Sequence, residues 1–172
     1  MTDLIAAHVR AIADFPKPGI IFRDLSPLLA SAQAFQATTA ALAALAEPFD
    51  LIAGIEARGF LFGAALAQST RRGMVIVRKA GKLPGVTIGH DYALEYGNDR
   101  LELHADAIPA GARVLLVDDV LATGGTAEAA VHLLRKAGAS VAQALFVLEL
   151  PALDGAARLV AQQVEAQALV RF

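Results

Sequence analysis

Val114-Leu-Leu-Val-Asp-Asp-Val-Leu-Ala-Thr-Gly-Gly-Thr126 runs from an apolar segment into two carboxylates, a small-residue loop and the start of a helical pattern. The apolar segment reads as a strand buried on both faces. Gly124 and Gly125 allow the backbone to wrap closely around an anion. The N–H groups opening the next helix point at such an anion, and the helix dipole favours its charge. Thr123 and Thr126 add hydroxyl donors, and Ala122 belongs to the same loop. Asp118 and Asp119 would repel a phosphate unless they had another task. Ribose hydroxyls that donate to carboxylates, and a divalent cation between the charges, supply one. The stretch asks for a ligand with a phosphate, vicinal hydroxyls and magnesium. It is not a Walker A loop, since no Lys-Ser/Thr follows the glycines, and it is not a GxGxxG fingerprint.

Outward from this stretch the chain alternates. Residues 51–55, 74–77, 113–117 and 141–148 read as strands, and 60–68 and 126–137 as helices, the latter stopped by Gly138. Apolar strands alternating with helices predict an α/β fold, a parallel sheet flanked by helices on both faces. Upstream, residues 4–13 place Leu4, Ile5, His8, Val9 and Ile12 on one helical face, and a second helix is expected over 31–46. Between them, Phe15-Pro-Lys-Pro-Gly19 is a rigid turn-rich segment. The alternation breaks at 92–104, which reads as a β-hairpin turning at 97–99. The polar loop before it, 79–90, is long enough to suggest a functional lid.

With 172 residues the chain is expected to form a single domain. It has no cysteine, which excludes disulfides, thiolate chemistry and cysteine zinc sites. A net charge of -2 without a Lys/Arg-rich run gives no basic face for nucleic acid. No stretch has bilayer-spanning length and hydrophobicity, and the N-terminus has no basic head before an apolar run, so a cytoplasmic location is expected. His8, His90, His104 and His132 show no metal-ligand spacing.

The segment 114–126 resembles the 5-phosphoribosyl-1-pyrophosphate motif of the type I phosphoribosyltransferases. Four more segments resemble the adenine phosphoribosyltransferases in order and spacing: Phe15-Pro-Lys-Pro-Gly-Ile-Ile-Phe-Arg-Asp24, Glu56-Ala-Arg-Gly-Phe60, Arg78-Lys-Ala-Gly-Lys-Leu-Pro-Gly85 and Leu94-Glu-Tyr-Gly97. The likeness covers nearly the whole chain; 87–91 and 166–172 are less familiar. It implies that adenine and 5-phosphoribosyl-1-pyrophosphate give AMP and pyrophosphate, with Mg2+ required. It also implies a homodimer, a small N-terminal hood over the base (about 1–30) and a mobile loop over the site (about 79–100).

The resemblance further suggests roles. Arg58 matches the pyrophosphate-binding position, where a guanidinium offers forked donors, and Ala57 and Gly59 let backbone N–H groups approach. Arg78, Lys79 and Lys82 would close onto the diphosphate and exclude water. Asp118 and Asp119 would hold the ribose hydroxyls and orient Mg2+. Glu95 matches a carboxylate that serves proton transfer at the purine, with Tyr96 beside it. Phe22 would stack on adenine, Leu150 cover its other face, the Ile21 backbone read its Watson–Crick edge, and Arg23 fix this segment or contact the purine. Two alternatives are a transferase for a 6-oxopurine and a non-catalytic ligand sensor of the same fold. The 15–24 segment argues against the first, and the want of room for a DNA-binding domain against the second.

Overall fold

Ile5, 1% exposed, anchors helix α1 (Thr2–Ala7). The structure, a computed structural model, describes residues 2–94 and 97–172. The N–H groups of His8 and Val9 donate back to Ile5 and Ala6 and close α1. The helix expected over 4–13 therefore ends early. Strand β1 (Arg10–Ala13) takes its second half and pairs antiparallel with β2 (Ile21–Asp24), Arg10 opposite Asp24 and Ala13 opposite Ile21. The Arg10 guanidinium donates to the Asp24 carboxylate at 2.6 Å. Pairing with a distant segment overrides the local helical period here. Asp24 also accepts from the hydroxyl and N–H of Ser26, at the start of α2 (Ser26–Ala30), and these bonds with that of Arg10 hold its pKa at about 2. Ser31 caps α3 (Ala32–Leu45), its hydroxyl accepting the N–H of Ala34 at 3.2 Å.

The rest of the chain follows the alternation: β3 (Leu51–Ile55), α4 (Gly59–Thr70), β4 (Gly73–Lys79), β5 (Thr87–Leu94), β6 (Gly97–His104), β7 (Val114–Leu121), α5 (Gly125–Lys136), β8 (Gln143–Glu149), α6 (Gly155–Ala161) and β9 (Glu165–Arg171). The sheet order is β5-β6-β4-β3-β7-β8-β9. Strands β4, β3, β7, β8 and β9 are mutually parallel. The hairpin does not stand apart from them: β6 pairs antiparallel with β4, Arg78 opposite Glu102 and Lys79 opposite Leu101, so the sheet is mixed at one edge. Pairing between β5 and β6 draws more residues into strand than the sequence suggests. Residues 87–90, expected in a loop, belong to β5. The expected turn at 97–99 lies in β6, where Asn98 and Asp99 face Ala93 and Tyr92. Leu101 and Leu103 are fully buried and tie the hairpin to the core. Glu95 and Tyr96 lie outside the described residues.

Both sheet faces are covered. Ala53 and Ile55 of β3 join one core with Ala127, Ala130, Val131 and Leu134 of α5 and Leu159 of α6. Ile52, one residue before Ala53, joins the other with Leu28 of α2, Leu42 of α3 and Phe62 and Leu66 of α4. This is the strand's twofold alternation acting on two layers. Helix α4 buries Gly59, Phe62, Gly63, Leu66 and Ala67, a stripe of helical period. Among the described residues no helix is long and apolar enough to cross a membrane.

Candidate active site

Strands β3 and β7 are neighbours, but the chain leaves them in opposite directions, β3 toward β4 and β7 toward β8. The crevice beyond their carboxyl ends is where open α/β sheets take ligands. It is deepened by a difference in reach. The ladder between the two strands pairs Leu51 with Val114 and Gly54 with Val117, and β3 ends at Ile55, whereas β7 continues to Leu121 alongside β8. Asp118 and Asp119 therefore lie at the lip of the shorter strand. A cavity of about 290 Å³ opens there, lined by 56–58 after β3, Lys79 at the end of β4, and 118–127. It brings together Ala57, Arg58, Lys79, Asp118, Asp119 and the whole loop from Ala122 to Thr126.

Backbone conformation shapes that loop. Gly124 has φ +77°, a left-handed conformation suited to glycine, and α5 starts at Gly125. The first-turn N–H groups of α5, which have no partner within the helix, border the cavity. Next to Arg58, Gly59 opens α4 flat against β7: a Cβ there would meet Asp118 Oδ1 at 2.7 Å and the Val117 carbonyl at 3.0 Å.

The two carboxylates differ. Asp119 is 6% exposed, and its carboxylate accepts from the Arg58 Nε–H. Its N–H donates to Asp118 Oδ1 at 2.9 Å. Withdrawal from water, then the adjacent Asp119 charge, push the Asp118 carboxyl well above the usual carboxylate range, against the pull of the Asp119 N–H and a smaller one from Arg58.

A further carboxylate, Glu56, gathers the cations of the 78–82 segment. Its Oε1 accepts from Arg78 at 2.9 Å and Lys82 at 3.0 Å, and its Oε2 from the Lys79 N–H at 3.0 Å. The bonds from Arg78 lead in holding its pKa at about 2, against the cost of burial. Arg78 also donates to the Lys82 carbonyl. Lys79 Nζ donates to the Tyr92 hydroxyl at 2.9 Å and pairs with Asp99. Burial works against the Lys79 ammonium, but Asp99 and Tyr92 outweigh it and raise its pKa. Of the expected lid cations, Lys79 alone lines the cavity, while Arg78 and Lys82 reach its rim through Glu56. Sequence reasoning missed Glu56. The available signal was an acid directly before Ala57 and Arg58 in a segment otherwise expected to hold anions.

The β1–β2 ribbon meets the crevice through Phe22, whose ring centroid lies 6.0 Å from the Arg58 guanidinium carbon. Phe15 packs edge-on against Phe22 at 5.2 Å. Ile21 is 52% exposed. Arg23 turns to the other end of the chain, 4.3 Å from the Phe172 ring centroid. Leu150, at the end of β8, is half-buried, and its N–H donates to the Leu121 carbonyl at 2.9 Å. None of Ile21, Phe22, Arg23 and Leu150 lines the cavity; Phe22 adjoins it through Arg58.

The phosphoribosyl transferase domain family matches residues 28–161. An adenine phosphoribosyltransferase of Sphingopyxis alaskensis is 56% identical over 170 residues, 98% of this chain and 92% of the relative. The chain belongs to the adenine phosphoribosyltransferase family. It is thereby a pentosyltransferase with the type I phosphoribosyltransferase fold. The family's crystal structures superpose closely. The enzyme of Thermoanaerobacter pseudethanolicus gives a TM-score of 0.93 at 46% identity, covering 100% of both chains. That of Saccharomyces cerevisiae, complexed with an imino-altritol bisphosphate and adenine, gives 0.91 at 38% identity, covering 98% of this chain and 97% of that one.

Proposed function

We propose that the crevice between β3 and β7 transfers ribose 5-phosphate from 5-phosphoribosyl-1-pyrophosphate to adenine, releasing pyrophosphate and forming AMP, a step of purine salvage. One observation carries the assignment of parts: the small-residue loop opening α5, the Asp118 and Asp119 pair, and Arg58 border one cavity, with the Phe22 ring against Arg58. The cavity thus offers groups complementary to an anion and a polyol, with an aromatic ring beside Arg58 for the base.

In this reading Ala122 to Thr126 hold the 5-phosphate through backbone N–H groups and the two threonine hydroxyls. Asp118 and Asp119 accept from the ribose hydroxyls. Ala57 and Arg58 hold the pyrophosphate, and Arg78, Lys79 and Lys82 add positive charge as the 79–100 segment closes. N9 of adenine attacks the anomeric carbon while the bond to the pyrophosphate oxygen breaks. Negative charge grows on the leaving group and positive charge on the ring, so cations on one side and carboxylates on the other favour the transition state. Glu95 is assigned proton transfer by its match to the family motif alone. Phe22 stacks on the base beneath a hood of residues 1–30, with Leu150 on the other face and Arg23 bracing the segment. The Ile21 backbone pairs with the 6-amino group and N1; a 6-oxopurine reverses both and leaves groups unpaired.

Magnesium fits this site as a substrate-held ion. The carboxylates of Asp118 and Asp119 are hard oxygen donors at the cavity wall, and among the described residues no group of three or more His, Cys, Asp or Glu is placed to cage a metal. Mg2+ commonly keeps waters and binds through one or two carboxylates plus substrate phosphates. When bound it supplies charge neutralisation of the diphosphate. A homodimer in the cytoplasm completes the proposal, carried over from the family.

Pyrophosphate release with Mg2+ tests it, with adenine, hypoxanthine, guanine, xanthine and uracil offered separately. Turnover to AMP is expected with adenine and at least ~10⁴-fold less with 6-oxopurines. Preference for a 6-oxopurine would overturn the account of base choice. Sugar-diphosphate binding without turnover on any base would make the chain a sensor.

A further inference from the structure

We infer that Gly155, which lies outside the cavity lining, is a positioning residue for the anion loop. The inference rests on the reading of that loop as the 5-phosphate site. Gly155 is buried at the start of α6, and a Cβ on it would stand 2.2 Å from the Ala122 carbonyl oxygen and 2.9 Å from the Gly124 nitrogen. The contact is mutual: a Cβ on Gly124 would meet the Gly155 carbonyl oxygen at 2.7 Å. Two backbones touch here with no side chain between them.

The contact has an orientational effect. The peptide between Ala122 and Thr123 is trans, so its C=O and N–H point in opposite directions. With the Ala122 carbonyl held against Gly155, the Thr123 N–H points away from α6, and Thr123 itself lines the cavity. Two other links hold α6 in place. Arg158 and Gln162 donate to the Glu128 carboxylate of α5 at 3.2 and 3.0 Å. Leu159 is fully buried in the core that also contains Leu121. The loop is therefore backed from behind by a segment that lies outside the cavity lining, its Arg158 reaching 3.6 Å from where a Cβ on Gly125 would stand.

Binding of ribose 5-phosphate and of magnesium pyrophosphate, measured separately by calorimetry, tests this. In Gly155→Ala the Kd for ribose 5-phosphate should rise roughly ten- to a hundredfold, while that for pyrophosphate, held at the 56–58 loop, stays within about twofold. Arg158→Ala makes no backbone clash and should give a rise of up to about fivefold with the same selectivity; it decides the matter if Gly155→Ala does not fold. Equal loss of both ligands in the folded variants would mean a merely structural role and overturn the inference, as would no change in either variant. If the unaltered protein binds pyrophosphate but not ribose 5-phosphate, the reading of the loop itself fails and the inference with it.

Discussion

The guanidinium carbon of Arg58 lies 6.0 Å from the ring centroid of Phe22. The same guanidinium donates through Nε to Asp119. One side chain from the end of β3 thus links the β1–β2 ribbon to the carboxylates of β7. Arg58→Ala is expected to lower kcat/KM for the sugar diphosphate by about 10²–10³-fold and to raise KM for adenine as well. Phe22→Leu should raise KM for adenine and leave pyrophosphate affinity unchanged. Steady-state kinetics with pyrophosphate titration separate the two. Loss of pyrophosphate affinity in Phe22→Leu would contradict this division of labour.

Asp118 and Asp119 are adjacent carboxylates in a partly buried place, and the fold bears a cost whenever Asp118 is ionised. That cost is absent below the ordinary value of 3.8 and grows as pH rises toward the raised value of the folded chain. Asp118→Asn keeps an oxygen for the Asp119 N–H and removes the charge. At neutral pH it should raise Tm by roughly 2–4 °C, while kcat/KM falls by about tenfold or more. Thermal melts beside initial rates check the pair of effects. A lower Tm would show that Asp118 serves stability instead.

Glu56 has the opposite displacement, from 4.5 down to about 2, led by its bonds with Arg78. A carboxyl lowered by folding stabilises the native state in full above its unfolded value and loses that contribution as pH falls through the folded value. The stabilisation should therefore fade between pH 4.5 and about 2. Glu56→Gln should be less stable at neutral pH and flatter across this window. Asp24 and Asp50 are also lowered by their partners, but they are present in both proteins, so the difference in melting curves isolates Glu56. Parallel curves would show that the bonds to Arg78 and Lys82 contribute nothing to stability.

The strands of the parallel core were legible because burial on both faces leaves continuous apolar runs, as in Leu51–Ile55. The loop after β7 was legible because glycine suits the positive φ at Gly124 and threonines bring hydroxyl donors. Other features depend on partners far along the chain. Arg10 reads as a helix residue until it meets Asp24 fourteen residues later. The hairpin runs further than its local turn residues suggest, pairing Thr87 with His104 and Leu94 with Gly97, while its second strand joins β4. Helix α6 and strand β9 are short or only half-apolar and gave no period to find. Glu56 looked like one charge among many; its meaning lies in the three donors that converge on it.

Among the described residues the β1–β2 ribbon forms its own two-stranded sheet and shares no ladder with the seven-stranded one. The loops that border the cavity, by contrast, extend directly from paired strands of the larger sheet. Mutations that reshape the ribbon thus leave the register of the larger sheet untouched. Under the proposed roles, inheritance can rewrite the vocabulary of accepted bases on the ribbon while the reaction centre on the larger sheet passes on whole, Arg58 being the joint that both must keep.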